Sequence, residues 1–251
     1  MPEIEVIILL VASGILVGFI NTLAGSGTVI SIAVLTYLGL PVQVANGTHR
    51  IAVMMQNFVA VRSAHKRKII SLKKGLEYGI PTTAGSIIGA LFATSINDEL
   101  FGKIIGVVMV IFLFSMFIKP DRWLKGNLRL QEKKSGWLLY LLYFLMGLYG
   151  GFVHIGVGIF MLFTLVLGSG YDLVKANAYK NLLVFMYVPF ALGIYIYSGM
   201  VHFVFGFTHG LGNMLGAWIA TRFAFAWGAK FVRWVLVVVM LAAALHFWGL
   251  F

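Results

Sequence analysis

The chain of 251 residues contains no cysteine. Disulfides, thiolate metal sites and thiol redox chemistry are therefore excluded. Acidic residues are nearly as scarce, with 8 Asp and Glu against 19 Lys and Arg. Only 11% of the residues are charged, where a soluble domain carries about 25%. That shortage excludes an ordinary soluble globule, and also a disordered or nucleic-acid-binding chain, despite the net charge of +11. The six histidines form no HxxxH or HExxH pattern, so no metal site is expected. No cofactor motif and no pair of neighbouring carboxylates placed for acid–base work occurs in the apolar runs, so an enzyme is not expected either.

What the chain has in abundance is apolar sequence, at 61% hydrophobic with a mean hydropathy of +0.96. A spanning α-helix needs about 20 apolar residues. The runs are long and unbroken rather than alternating, which predicts helices and not a β-barrel. The acidic start Met1-Pro2-Glu3-Ile4-Glu5 lacks the basic stretch of a cleaved signal peptide, so the first run is expected to remain as a span. The expected fold is an all-α polytopic membrane protein with a single transmembrane domain over residues 1–251.

Basic residues gather in two places. Arg62, Lys66, Arg67, Lys68, Lys73 and Lys74 form one loop; Lys119, Arg122, Lys125, Arg129, Lys133 and Lys134 form the other. Basic loops stay in the cytoplasm, so loops 62–74 and 119–136 are placed there, in the plasma (inner) membrane of a cell. Contact with anionic lipid is their simplest further role.

The chain also repeats itself. Ala24-Gly25-Ser26-Gly27-Thr28 matches Ile155-Gly156-Val157-Gly158-Ile159, and Val44-Ala45-Asn46 matches Lys175-Ala176-Asn177, at a constant offset of 131. Gly85-x-x-x-Gly89-Ala90 matches Gly212-x-x-x-Gly216-Ala217 at an offset of 127. Repeat one is expected over 1–118, a cytoplasmic linker over 119–136 and repeat two over 137–251. Apolar segments fall at about 4–22, 28–38, 45–61, 75–94 and 100–118, then at about 137–153, 158–168, 174–197, 203–223 and 230–250. The second segment of each half, about 11 residues, spans only about half a bilayer. Each half thus reads as a Gly-interrupted or re-entrant helix pair followed by three spanning helices. Loop 198–202 carries no Lys or Arg although its counterpart is basic, while Arg222, Lys230 and Arg233 stand opposite the acidic turn 96–99. This reversal favours an inverted repeat; a parallel repeat with four spans per half is the alternative.

The candidate site follows from the duplicated features. Gly25, Ser26, Gly27 and Thr28 form one break, and Gly156, Val157 and Gly158 the other. Each precedes a short helix whose N-terminal N–H groups suit an anion. Close packing through small residues is the alternative. The next helix of each half opens with Asn46, Thr48, His49 and Arg50, or with Asn177, Tyr179 and Lys180. Arg50 and Lys180 enter apolar helices with no neighbouring carboxylate in sequence; intramembrane cations are commonly functional, although snorkelling to the interface would also serve. His49 and His154 are candidates for proton coupling. Gln56 and Asn57 fit a pathway lining and helix–helix hydrogen bonding equally well.

Gly18-Phe19-Ile20-Asn21-Thr22-Leu23-Ala24-Gly25-Ser26-Gly27 with Ala45-Asn46-Gly47-Thr48, and Gly147 to Phe152 through Gly156-Val157-Gly158 with Ala176-Asn177-Ala178, resemble the TauE/SafE family of sulfite exporters over essentially the whole chain. The resemblance implies transport of sulfite, an organosulfonate or a related small anion. The function expected is a secondary transporter working by alternating access. A passive anion channel and a non-transporting accessory subunit are the alternatives. The expected partners are a small anionic substrate and membrane lipid, with homo-oligomerisation left open.

Overall fold

The computed structural model describes residues 3–23, 25–101, 103–104 and 136–223, and every regular element among them is helical. Helix α1 (Ile4–Leu23) is followed by the glycine break and the short α2 (Thr28–Tyr37), then by α3 (Val42–Lys66) and α4 (Leu72–Ser95). The second half supplies α5 (Trp137–Phe152), a second break, the short α6 (Val157–Gly168), α7 (Leu173–Tyr197) and α8 over residues 203–223. The last turn of α6, Thr164–Gly168, is a π-helix. The fifth segment expected in each half, the linker 119–136 but for Gly136, and Trp123, Trp227, Trp234 and Trp248 fall outside the described residues, apart from a helical start at 98–101 and residues 103–104.

Glycine and apolar periodicity shape these helices. Leu72, Leu76, Ile80, Ile88, Leu91 and Phe92 of α4 are exposed, as are Phe203, Phe207, Leu211, Leu215 and Trp218 of α8. The opposite faces carry Gly85, Gly89, Gly212 and Gly216, and these meet backbone. A Cβ on Gly85 or Gly89 would run into the carbonyls of Phe144 or Leu148 on α5; one on Gly212 or Gly216 would run into those of Val11 or Ile15 on α1. The fourth helix of each half therefore packs on the first helix of the other. Small residues let helices approach this closely where no hydrophobic drive exists between them.

Polar residues show the reverse of a soluble pattern. In α3, Asn46, Thr48, His49, Arg50, Gln56 and Asn57 are all buried. Large apolar side chains face outward while polar ones line the interior, as a lipid solvent requires.

Side-chain contacts give the helix directions. Gln43 at the start of α3 donates to the carbonyls of Ala93 (3.2 Å) and Ile96 (2.8 Å), where α4 ends. Tyr179, near the start of α7, accepts from the Ser71 N–H (3.0 Å), where α4 begins. Asn46 donates to the hydroxyl of Tyr195 at 2.7 Å, so α3 starts where α7 ends. Helices α3 and α7 thus run in opposite directions.

Candidate functional site

The two glycine breaks meet at the centre of the molecule. Gly25 has φ +74°, and a Cβ there would collide with the Cα of Gly158; one on Gly158 would collide with the Cα of Gly25. Only glycine permits both the left-handed conformation and that approach. The opening of α6 uses a second left-handed residue, Gly156 at φ +69°.

Beside this contact lies a cavity of about 10 Å³, room for one water at most. From the predicted set it collects Gly25, His154, Val157, Gly158 and Lys180. Asn21, Gln56, Asn57, Asn181 and Val184 complete it. Asn57 donates its amide to the carbonyl of Val53 at 2.8 Å. The side-chain oxygens of Gln56, Asn46 and Asn177, the Ser26 hydroxyl and both polar atoms of Asn21 are buried without a hydrogen-bond partner. Buried polar atoms are nearly always satisfied, so the unpartnered atoms of Asn21 and Gln56 in the lining mark this cavity as built for something polar.

The two cations are held by main-chain oxygens. Lys180 Nζ donates to the carbonyls of Asn21 (2.9 Å) and Thr22 (3.1 Å), and Asn181 Nδ2 reaches Thr22 at 3.3 Å. Arg50 donates from Nη1 to Gly150 (3.0 Å) and from Nη2 to Gly151 (2.6 Å), with its guanidinium 4.5 Å above the Tyr195 ring. These carbonyls belong to the last turns of α1 and α5, which carry unpaired acceptors and partial negative charge. Each third helix therefore caps the first helix of the other half. Neither cation snorkels; both are buried. Among the described residues the ion pairs are Lys74–Glu77 (2.9 Å) and Lys103–Glu99 (2.6 Å), both at helix ends. Helix carbonyls thus offset the central positive charge only in part.

Three histidines form a buried row. His49 stands between His154 and His209, with ring centroids 5.9 Å and 6.2 Å away. His49 Nε2 lies 3.2 Å from the Thr28 hydroxyl, and its Nδ1 has no partner. His154 Nδ1 lies 3.0 Å from the Tyr187 hydroxyl. His209 Nε2 lies 2.7 Å from the Ser31 hydroxyl and Nδ1 2.9 Å from the Leu10 carbonyl.

Other predicted residues point elsewhere. Thr48 Oγ1 accepts from the His202 N–H at 2.9 Å, at the start of α8. Tyr179 stacks on Tyr171 with centroids 4.7 Å apart, at the α3–α4 loop. Gly27 caps α2, whose first residue is the buried Thr28. Sequence reasoning did not single out Asn21, Asn181 and His209. Asn181 is the repeat counterpart of Arg50, and Asn21 lies in the motif before the first break, so both left a signal; His209 left none.

The family model for the sulfite exporter TauE/SafE matches residues 10–247. The chain belongs to the TauE/SafE family. This TauE/SafE protein is 29% identical to a probable membrane transporter protein of a Sinorhizobium species, over 94% of this chain and 90% of the relative. It is 26% identical to probable membrane transporter proteins of Haemophilus influenzae (94% and 91% covered) and of Escherichia coli K12, YfcA (89% and 82% covered). No solved structure matches the chain. The TauE/SafE assignment makes it an integral membrane protein and a membrane transporter, which accounts for the outward apolar faces and the buried polar row.

Proposed function

We propose that the protein is a secondary transporter that moves a small anion, sulfite or an organosulfonate, by alternating access. One observation carries this reading. At the Gly25–Gly158 contact the two glycine breaks meet beside a cavity lined by the buried Lys180 of the second half and by Asn21 and Gln56 of the first, whose polar atoms lack partners, with no carboxylate in that lining. Such a set complements negative charge. The cavity is too small for a sulfonate, so this arrangement is read as a closed state. An anion arriving from either side would compete with helix carbonyls for the Lys180 ammonium.

Several features support the wider arrangement. The opposed directions of α3 and α7, and the reciprocal packing of α4 on α5 and α8 on α1, favour an inverted repeat, with repeat one over 1–118 and repeat two over 137–251 in one transmembrane domain. The basic segment 62–74, which is the end of α3, a short turn at 67–71 and the start of α4 rather than one loop, and the basic segment 119–136 then face the cytoplasm across the inner membrane. Rocking one half against the other about the glycine contact would expose the site to each side in turn.

Proton coupling would run through His49. A proton on that imidazole adds charge beside Arg50, His154 and His209, so it is most stable when an anion is also present. Substrate and proton would thereby travel together.

The deciding experiment is sulfite flux into proteoliposomes, with and without a pH gradient, competed by unlabelled sulfonates and carboxylates. Saturable flux with counterflow is expected, accelerated by a gradient that is acidic on the side of sulfite entry. Flux that neither saturates nor shows counterflow would mean a channel. No flux of any anion through folded protein would leave an accessory subunit.

A further inference from the structure

A second cavity, of about 360 Å³, opens between the C-terminal turns of α3 and residues 218–222 of α8, and it shares no residue with the central one. We propose that it binds the phosphate headgroup of an anionic phospholipid from the cytoplasmic leaflet. The inference rests on the membrane orientation proposed above, and its test reads lipid binding rather than transport.

The lining is graded. Arg62 and Lys66 of α3, with Arg67 just after it, line the cavity together with Arg222 of α8, and Ser63 and Thr221 add hydroxyls. No carboxylate lines it among the described residues. Deeper along the same two helices, the half-exposed Phe58 and Trp218 supply an apolar wall. Phe58 to Lys66 covers about 12 Å of helix, the depth over which a phospholipid passes from acyl chain to headgroup. The order of chemistry along α3 and α8 therefore matches the order along a lipid. A free anion would use the cations and leave the apolar wall idle.

Arg222 is already positioned for this task. Its guanidinium lies 3.9 Å from the Trp218 ring centroid. Stacking of this kind fixes the planar group while leaving its edge donors available to phosphate oxygens. Tryptophan at the interface and clustered cations just beyond a span are the two features by which helices recognise acidic lipids. Helix α3 also carries Gln56 and Asn57 into the central cavity, less than two turns from Arg62. A bound headgroup would thus brace the helix that holds part of the substrate site.

The test uses the full-length protein, purified with phosphatidylglycerol and phosphatidylcholine and examined by native mass spectrometry. About one phosphatidylglycerol per chain should be retained, and Arg222→Gln or Arg62→Gln should each weaken retention about fivefold, the equivalent of about 1 kcal/mol per basic residue. Lys73→Gln removes the same charge from the same basic region outside the cavity, and should leave retention unchanged. Arg62→Gln carries the test if Arg222→Gln does not fold. Equal retention of phosphatidylcholine, or an equal loss in Lys73→Gln, would overturn the proposal. So would displacement of the lipid by millimolar inorganic phosphate or sulfite, which would assign the cavity to a soluble anion. Lipid retention without sulfite flux would sink the transport reading alone.

Discussion

The Lys180 ammonium stands 2.9 Å from the carbonyl oxygen of Asn21, a residue 159 positions earlier in the chain. Its counterpart contact, Arg50 to Gly150 and Gly151, runs the opposite way between the halves. The two capping contacts make the cations both structural and available. A helix carbonyl is a partner that an anion can replace, whereas a buried carboxylate would hold the cation far more tightly.

Arg50→Met should therefore strand the carbonyls of Gly150 and Gly151. Loss of the charge-assisted bonds is expected to cost about 2 kcal/mol, seen as a lower unfolding temperature of the detergent-purified protein. Arg50→Lys keeps the charge and loses the fork, so it should recover stability only in part. Lys180→Met should reduce sulfite flux more than it reduces stability, because a cavity-lining ammonium is lost along with the cap. Unchanged flux would remove Lys180 from the substrate site.

Gly158→Ala should abolish flux. The added methyl meets the backbone of Gly25, which cannot yield without moving the first break, and overpacking of this kind costs about 1–3 kcal/mol. Gly193→Ala, where a Cβ meets nothing within 4 Å, serves as the matched control and should be silent.

Tyr179→Phe removes the hydroxyl that accepts from the Ser71 N–H. It should cost about 1 kcal/mol of stability and leave the KM for sulfite unaltered. A raised KM would return Tyr179 to the substrate site.

His49→Gln tests coupling. The groups facing His49 are Arg50 on its own helix, His154 in the second break, His209 on α8 and Thr28 on α2. Wild-type flux should rise as the pH on the entry side falls, because acid supplies the proton that accompanies the anion. The variant should retain flux with a flattened pH profile.

Much of this arrangement was legible in the residues. Glycine punctuates otherwise continuous apolar runs, so the short helices Thr28–Tyr37 and Val157–Gly168 appear where 28–38 and 158–168 were expected. The buried face of α3 could be anticipated from Asn46, His49 and Arg50 in one helix. Their partners could not. Backbone carbonyls leave no mark in a sequence, so the acceptors of Arg50 and Lys180 were invisible. Thr48 and Tyr179 lie one residue from His49 and Lys180, and a helix turns about 100° per residue, which carries them to other neighbours. His209 belongs to an apolar stretch without any counterpart or spacing to flag it.

The exchange of helices across the molecule, α4 with α5 and α8 with α1, has a consequence for biogenesis. A ribosome finishes α4 long before α5 exists, and α1 must wait longer still for α8. Until then, the glycine faces of the nascent chain have only lipid or the insertion machinery to lie against. A chain truncated after α4 would therefore present unfilled glycine seams and be open to proteolytic clearance.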